Sequence, residues 1–267
     1  MNKFTVCPNQ IDSGNFDLQS YLDRIHFIGA VDSSVECISK IMQCQLFSVP
    51  FENLDVQAGK PISLAGDDIV DKIIGCDRGG YCYEVNGLFA LTLQKIGIPY
   101  IFIAARPLIT PFENPRTHMA IIATIEKEEY LVDLGFGGDG IRAPVKLSQP
   151  GSMSKQGSET FSLIKTADNE YLLKSLNNNE WRYLYSFNLH PQKWIDFKPA
   201  NYFNSTHADS FFVQNLLVVL QNPLGKKILF RNSLKSIVNG LVKNYSIEES
   251  TYDKVLAKEF NLNQLQS

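Results

Sequence analysis

The chain reads as an α+β protein, and three observations predict it. Up to Gly97 apolar residues recur at helical spacing; from Tyr100 onward short β-branched and aromatic segments alternate with polar turns; after His190 the two patterns mix. A hydrophobic content of 44% with 11% aromatics is enough to fill a core for 267 residues and sets the chain apart from disordered sequences.

Leu18, Tyr21, Leu22 and Ile25 predict the first helix. Val35, Ile38, Ile41, Met42 and Leu46 predict the second, behind a Ser33-x-x-Glu36 capping box and before Pro50. Ile69, Val70, Ile73 and Ile74 form a third stripe that stops at Gly75. Val85, Leu88, Phe89, Leu93 and Ile96 form a fourth, closed by Gly97 with Pro99 beyond. Strands are expected over 100–105, 118–125, 129–133, 160–165, 170–174 and 180–187, with turns at Asp168-Asn169 and Asn177-Asn178-Asn179. The Ser-, Gly- and Lys-rich stretch 144–159 reads as a surface loop. Further on, 194–204 reads as irregular or helical, 211–220, 226–231 and 243–248 as strands, and 252–260 as a closing helix with Val255, Leu256 and Phe260 on one side. The expected division is 1–98 helical, 99–190 an antiparallel sheet or barrel, and 191–267 mixed α/β.

The balance of 25 basic and 28 acidic residues gives a net charge of −3 with no basic block, which argues against a nucleic-acid partner. No apolar run approaches the ~20 residues of a spanning helix, and residues 1–16 are too polar for a secretory signal. The cysteines are Cys7, Cys37, Cys44, Cys76 and Cys82. Their odd number and the lack of a Cys-x-x-Cys pair speak against a disulfide framework or a structural zinc, so a reducing, cytoplasmic location is expected.

Cys82 stands apart from the other four. It lies between the glycine turn Arg78-Gly79-Gly80 and the fourth helix, where unpaired N–H groups and the helix dipole favour an anion. A buried small hydrophobe is the alternative reading. His118 opens a strand, and Asp133 ends the next one after a turn at Glu126-Lys127-Glu128, so antiparallel pairing brings the two side by side. Cysteine, histidine and aspartate in these settings are the parts of an activated thiol nucleophile, with the carboxylate fixing the imidazole tautomer. The following Gly135-Phe136-Gly137-Gly138 permits close backbone approach to a ligand, or is a plain turn.

Arg78-Gly79-Gly80-Tyr81-Cys82-Tyr83-Glu84-Val85-Asn86 resembles the signature of the arylamine N-acetyltransferases. Pro50-Phe51-Glu52-Asn53-Leu54, Arg116-Thr117-His118-Met119 and Asp133-Leu134-Gly135-Phe136-Gly137 resemble that family's other motifs, in the same order. A weaker match runs over Asn201-Tyr202-Phe203-Asn204-Ser205-Thr206-His207, where Ala208 replaces the usual proline and puts the local turn in doubt. The resemblance implies an N-terminal helical bundle, an antiparallel β-barrel and a C-terminal α/β lid around a cysteine-protease- or transglutaminase-like catalytic core. It implies Cys82, His118 and Asp133 as catalytic residues, with acetyl-CoA as a cosubstrate, no permanently bound cofactor and no metal. Thr117, Phe136, Gly137 and Phe212 are then expected at the coenzyme, and Phe51 and Phe136 at a small aromatic amine or hydrazine acceptor. Phe51 as a core aromatic is the competing reading. Arg78, Glu52 and Asn53 are implied as scaffold. Lys226 and Lys227 read either as contacts to coenzyme phosphates or as a solvated strand end. An amide synthase with a larger acyl chain, a thiol hydrolase or transglutaminase-like enzyme, and a non-catalytic binding module stay open as alternatives.

Overall fold

The computed structural model describes residues 10–109, 113–177 and 179–262; Cys7 and Asn178 of the expected turn lie outside them. Helices come first: α1 (Leu18–Arg24), α2 (Val35–Ser48), α3 (Leu54–Gln57), α4 (Gly66–Val70), running into a π-type turn at Asp71–Gly75, and α5 (Cys82–Ile96). The cap of α2 is Ser34 and not Ser33: Asp32 Oδ1 accepts from both the N–H and the hydroxyl of Ser34, whose Oγ in turn accepts from Cys37 N–H. Helix α5 is the centre of the molecule. Every residue from Cys82 to Leu93 is buried, so the helix is enclosed on all sides. It ends where Gly97 takes up left-handed geometry (φ 83°) and Ile98 N–H returns to Leu93 C=O.

Two antiparallel sheets follow. The larger has eight strands in the order β5-β4-β3-β2-β9-β8-β7-β6. These are β2 (Tyr100–Pro107), β3 (His118–Ile125), β4 (Glu128–Val132), β5 (Val145–Lys146), β6 (Met153–Gln156), β7 (Glu159–Lys165), β8 (Tyr171–Asn177) and β9 (Glu180–Phe187), with β1 (Phe51–Glu52) belonging elsewhere. The expected loop over 144–159 thus contains two short strands. They form the sheet's two edges, and the Gln156 side chain of β6 ties to the segment leading into β5: its Oε1 accepts from Arg142 and Ala143 N–H, and its Nε2 donates to Ala143 C=O. Side-chain bonds here stand in for the missing ladder, and the sheet is a near-barrel. A two-residue turn at Glu126 and Lys127, both with positive φ (51° and 68°), sets the β3–β4 register.

The second sheet runs β1-β10-β11-β12-β13, with β10 (Leu217–Asn222), β11 (Gly225–Phe230), β12 (Ser233–Val238) and β13 (Leu241–Ser246). The expected strand over 211–220 is in fact a short helix, α7 (Phe211–Gln214), and the start of β10; Ser210 caps the helix by accepting from Phe212 N–H. Strand β12 had no counterpart in the sequence reading. Helix α6 (Lys198–Thr206) precedes α7, and α8 (Tyr252–Phe260) closes the described chain. One face of this sheet packs Val218, Leu220, Leu229 and Leu234 against Leu256, Phe260 and Leu262. Alternation then turns Val219 and Ile228 to the opposite face, toward α5 and the large sheet.

Candidate active site

Cys82 is the first residue of α5, and a dense set of bonds holds it there. Glu84 Oε2 accepts from Tyr81 N–H (3.0 Å), and Glu84 Oε1 accepts from Lys72 Nζ (2.6 Å). The preceding turn is packed to its limit: a Cβ on Gly79 would lie 2.0 Å from Pro50 C=O. Arg78 bonds Glu52 Oε1 through Nε (3.0 Å) and NH2 (2.8 Å), as the scaffold reading expected. Asn53 serves a different part of the structure. Its Nδ2 donates to the carbonyls of Phe212 (2.7 Å) and Asn215 (2.8 Å), and its Oδ1 accepts from Leu217 N–H. It therefore fixes the segment that carries Phe212, despite the absent proline at 208.

His118 Nε2 lies 2.8 Å from Asp133 Oδ2. The β3–β4 register pairs Ile121 with Val132, so Asp133, one residue past the strand, sits diagonal to His118 and not directly opposite. Asp133 Oδ1 accepts from Asn86 Nδ2 (3.0 Å) and Gly135 N–H (2.9 Å). With Nε2 engaged by Asp133, Nδ1 is the ring nitrogen left for Cys82. Burial is the largest influence on His118 and acts to lower its pKa. The charge and hydrogen bond of Asp133, with Cys82 as a lesser neighbour, outweigh it and push His118 up to about 10. Burial likewise acts to raise Asp133, but His118, Asn86 and Gly135 hold it below the ordinary carboxylate range.

Asn86, the last residue of the motif that begins at Arg78, is a further residue of the site, one that its sequence neighbours do not assign a role. It lies one turn after Cys82, donates to Met119 C=O (2.8 Å) and Asp133, and accepts from Leu134 N–H (2.8 Å). One side chain thereby locks helix, strand and aspartate loop together, and its i+4 spacing from Cys82 was the available signal. Gly135 lies directly over the nucleophile turn: a Cβ there would meet Cys82 Cα at 2.5 Å. Tyr185 of β9 had no local signal. Its ring packs on His118 (5.1 Å) and Phe136 (4.8 Å), and its buried hydroxyl faces Asp133 without reaching hydrogen-bond geometry with any described group.

Cys82 and His118 open into a cavity of ≈ 410 Å³ that is mostly apolar. Phe51, Thr117, Phe136 and Phe212 line it, as do Gly135 and Gly138. Gly137 does not; its Cα (φ 72°) faces Phe51 instead. Lys226 is neither at a phosphate site nor solvated. It is buried, and its ammonium donates to Gly138 C=O, Asp139 Oδ1 (3.1 Å) and Glu159 Oε1 (2.7 Å). Lys227 points to the other face and pairs with Glu259 of α8 (2.9 Å). Lys235 and Ser233 of β12 stand on the cavity wall. No group of three or more His, Cys, Asp or Glu among the described residues could hold a metal ion, and none of the described helices is long and apolar enough to cross a membrane.

A family model described as "N-acetyltransferase" matches residues 34–266. The arylamine N-acetyltransferase of Mycobacterium tuberculosis is 33% identical over 207 residues, which is 75% of this chain and 72% of the relative. The arylamine N-acetyltransferase of Escherichia coli is 29% identical over 217 residues, 80% and 76% of the two chains. The solved structure of the M. tuberculosis enzyme superposes with a TM-score of 0.88 at 29% identity, covering 92% of this chain and 94% of that one. A structure of the Mycobacterium marinum enzyme in complex with CoA gives 0.86 at 30% identity, covering 92% and 93%.

Proposed function

This chain belongs to the arylamine N-acetyltransferase family, and on that premise we propose that Cys82 carries an acetyl group from acetyl-CoA to an arylamine, a hydrazine or an arylhydroxylamine. The observation that carries the reading is the convergence of Cys82 and His118 on one mostly apolar cavity, with Asp133 bonded to the imidazole behind it. The match to a relative solved with CoA supports the choice of donor.

In the first half-reaction the proton rests on His118, and the Cys82 sulfur attacks the thioester carbonyl. The new S–C bond forms, the C–S bond to coenzyme A breaks, and the departing thiolate takes the imidazolium proton. Backbone N–H groups at the start of α5, which lack partners within the helix, receive the oxyanion. One thioester replaces another, so the acyl group keeps its activation. In the second half-reaction the acceptor nitrogen attacks the acetyl-cysteine, or the hydroxyl oxygen does so in an arylhydroxylamine. His118 takes the acceptor's proton and Cys82 leaves as thiolate, ready for the next turnover. Asp133 holds the ring so that Nδ1 faces the sulfur throughout. Weakly basic aromatic amines suit this cavity because they are largely unprotonated near neutral pH, and its apolar walls keep water from the intermediate.

Intact-mass analysis after incubation with acetyl-CoA tests the reading. One acetyl group should appear, map to Cys82 and disappear on addition of an arylamine. An unmodified Cys82, or an acetyl group that no amine can discharge, would sink it. Propionyl-CoA and malonyl-CoA run in parallel address the amide-synthase alternative.

A further inference from the structure

Asn204 of α6 lies on the cavity wall with Cys82, His118 and Thr117, and is only 5% exposed. Its orientation is set by chemistry. Nδ2 donates to Thr117 C=O at 3.0 Å, and that carbonyl also accepts from Tyr83 Oη at 2.7 Å. A carbonyl cannot donate, so the amide cannot be flipped. The other branch, Oδ1, accepts no hydrogen bond from any described residue. Among the described residues, the buried polar side-chain atoms sealed from solvent without a partner are Ser162 Oγ, Tyr185 Oη and Gln221 Oε1; Asn204 Oδ1 is not one of them. It is therefore unpartnered and still open, and the opening beside it is the cavity.

We propose that Asn204 is a specificity-determining residue whose Oδ1 accepts a hydrogen bond from an N–H or O–H group of the molecule in the cavity. This deepens the acetyl-transfer reading and rests on it. The rest of the wall explains why one acceptor matters. Phe51, Phe136, Phe212, Val219 and Ile228 offer no hydrogen bond from their side chains, and beyond the catalytic pair the other polar side chains of the wall are Thr117, Asp139, Ser233 and Lys235, so a donor group that enters beside these apolar residues gives up its water and needs a replacement. A site built around such an acceptor discriminates against isosteres that lack the donor. Two sources of the donor share this chemistry: a polar substituent on the aromatic acceptor, or an amide N–H on the thioester's carrier arm.

The experiment crosses enzyme variant with substrate, so that a general loss of activity cancels. Wild type and Asn204→Ala are each assayed with 4-aminophenol and 4-methoxyaniline, which differ in carrying or lacking an O–H donor. In a second arm, acylation of Cys82 is timed with acetyl-CoA and with p-nitrophenyl acetate, which has no N–H. The expected result is that one of the two kcat/KM ratios falls about tenfold in Asn204→Ala, the worth of one desolvated hydrogen bond. A shift in the first ratio assigns the donor to the acceptor molecule, and a shift in the second assigns it to the acyl carrier. If both ratios stay within twofold of wild type, Oδ1 holds bound water only and the proposal is overturned. Asn204→Leu, which fills the wall, serves as a second variant should the alanine protein fail to fold. Loss of Cys82 acylation by every donor in wild type would instead sink the acetyl-transfer reading itself.

Discussion

Replacing Asp133 by asparagine should silence Cys82 through a tautomer, with little change of shape. Asp133 Oδ1 is held by two donors, Asn86 Nδ2 and Gly135 N–H. An asparagine at 133 must keep its single oxygen toward those donors, so its NH2 group turns to His118 Nε2. That nitrogen then has to accept, and the ring proton moves to Nδ1, the atom that faces the sulfur. An imidazole with its proton there can no longer take one from the thiol. In the wild type the balance of influences lifts His118 from 6.5 to about 10, which corresponds to roughly 5 kcal/mol in favour of the imidazolium. Without the carboxylate, burial dominates and the neutral ring wins. Acetylation of Cys82, followed by stopped-flow release of coenzyme A, should slow by about 10³–10⁴ in Asp133→Asn, the loss typical of a wrong-tautomer triad. A rate within tenfold of wild type, in a folded protein whose circular dichroism matches wild type, would refute the argument.

Three further outcomes follow from the same contacts. His118 is raised, so its contribution to stability is fully present below pH 6.5 and fades as pH climbs toward 10; Asp133 is lowered, so its contribution is present above about 3.8 and fades below. The melting temperature of wild type should exceed that of Asp133→Asn by most between these limits, with the gap narrowing on both sides. Arg78→Met strips the main partner from Glu52, whose side chain is wholly buried, and should cost about 3 kcal/mol in urea unfolding; an unchanged midpoint would show that Lys72, 4.0 Å from Glu52, suffices alone. Gly135→Ala drives a methyl group to within 2.5 Å of Cys82 Cα, so both the urea midpoint and iodoacetamide alkylation of Cys82 should drop sharply, the latter checked by peptide mapping against exposed Cys76.

The linear chain by itself determined the ends of α5 and put Cys82 at its start. Gly97 and Pro99 stop α5, the glycines before Cys82 turn the chain into it, and the short turn after β3 leaves His118 at the start of one strand and Asp133 just past the end of the next. These are local matters of backbone geometry and hydrophobic period, and a short window contains all the atoms involved. Boundaries failed where side chains redirected the backbone: Asp32 moved the cap to Ser34, and Ser210 made a helix of residues expected in a strand. What only the tertiary structure decided are contacts between distant segments. Lys226 is indistinguishable from a solvated lysine until Gly138, Asp139 and Glu159 surround it. Tyr185 meets His118 because β2 sets β9 and β3 on its two sides in one sheet, and Asn204 meets Thr117 only because α6 packs beside the start of β3. Such pairings depend on how whole elements pack, and no spacing along the chain records which faces will meet.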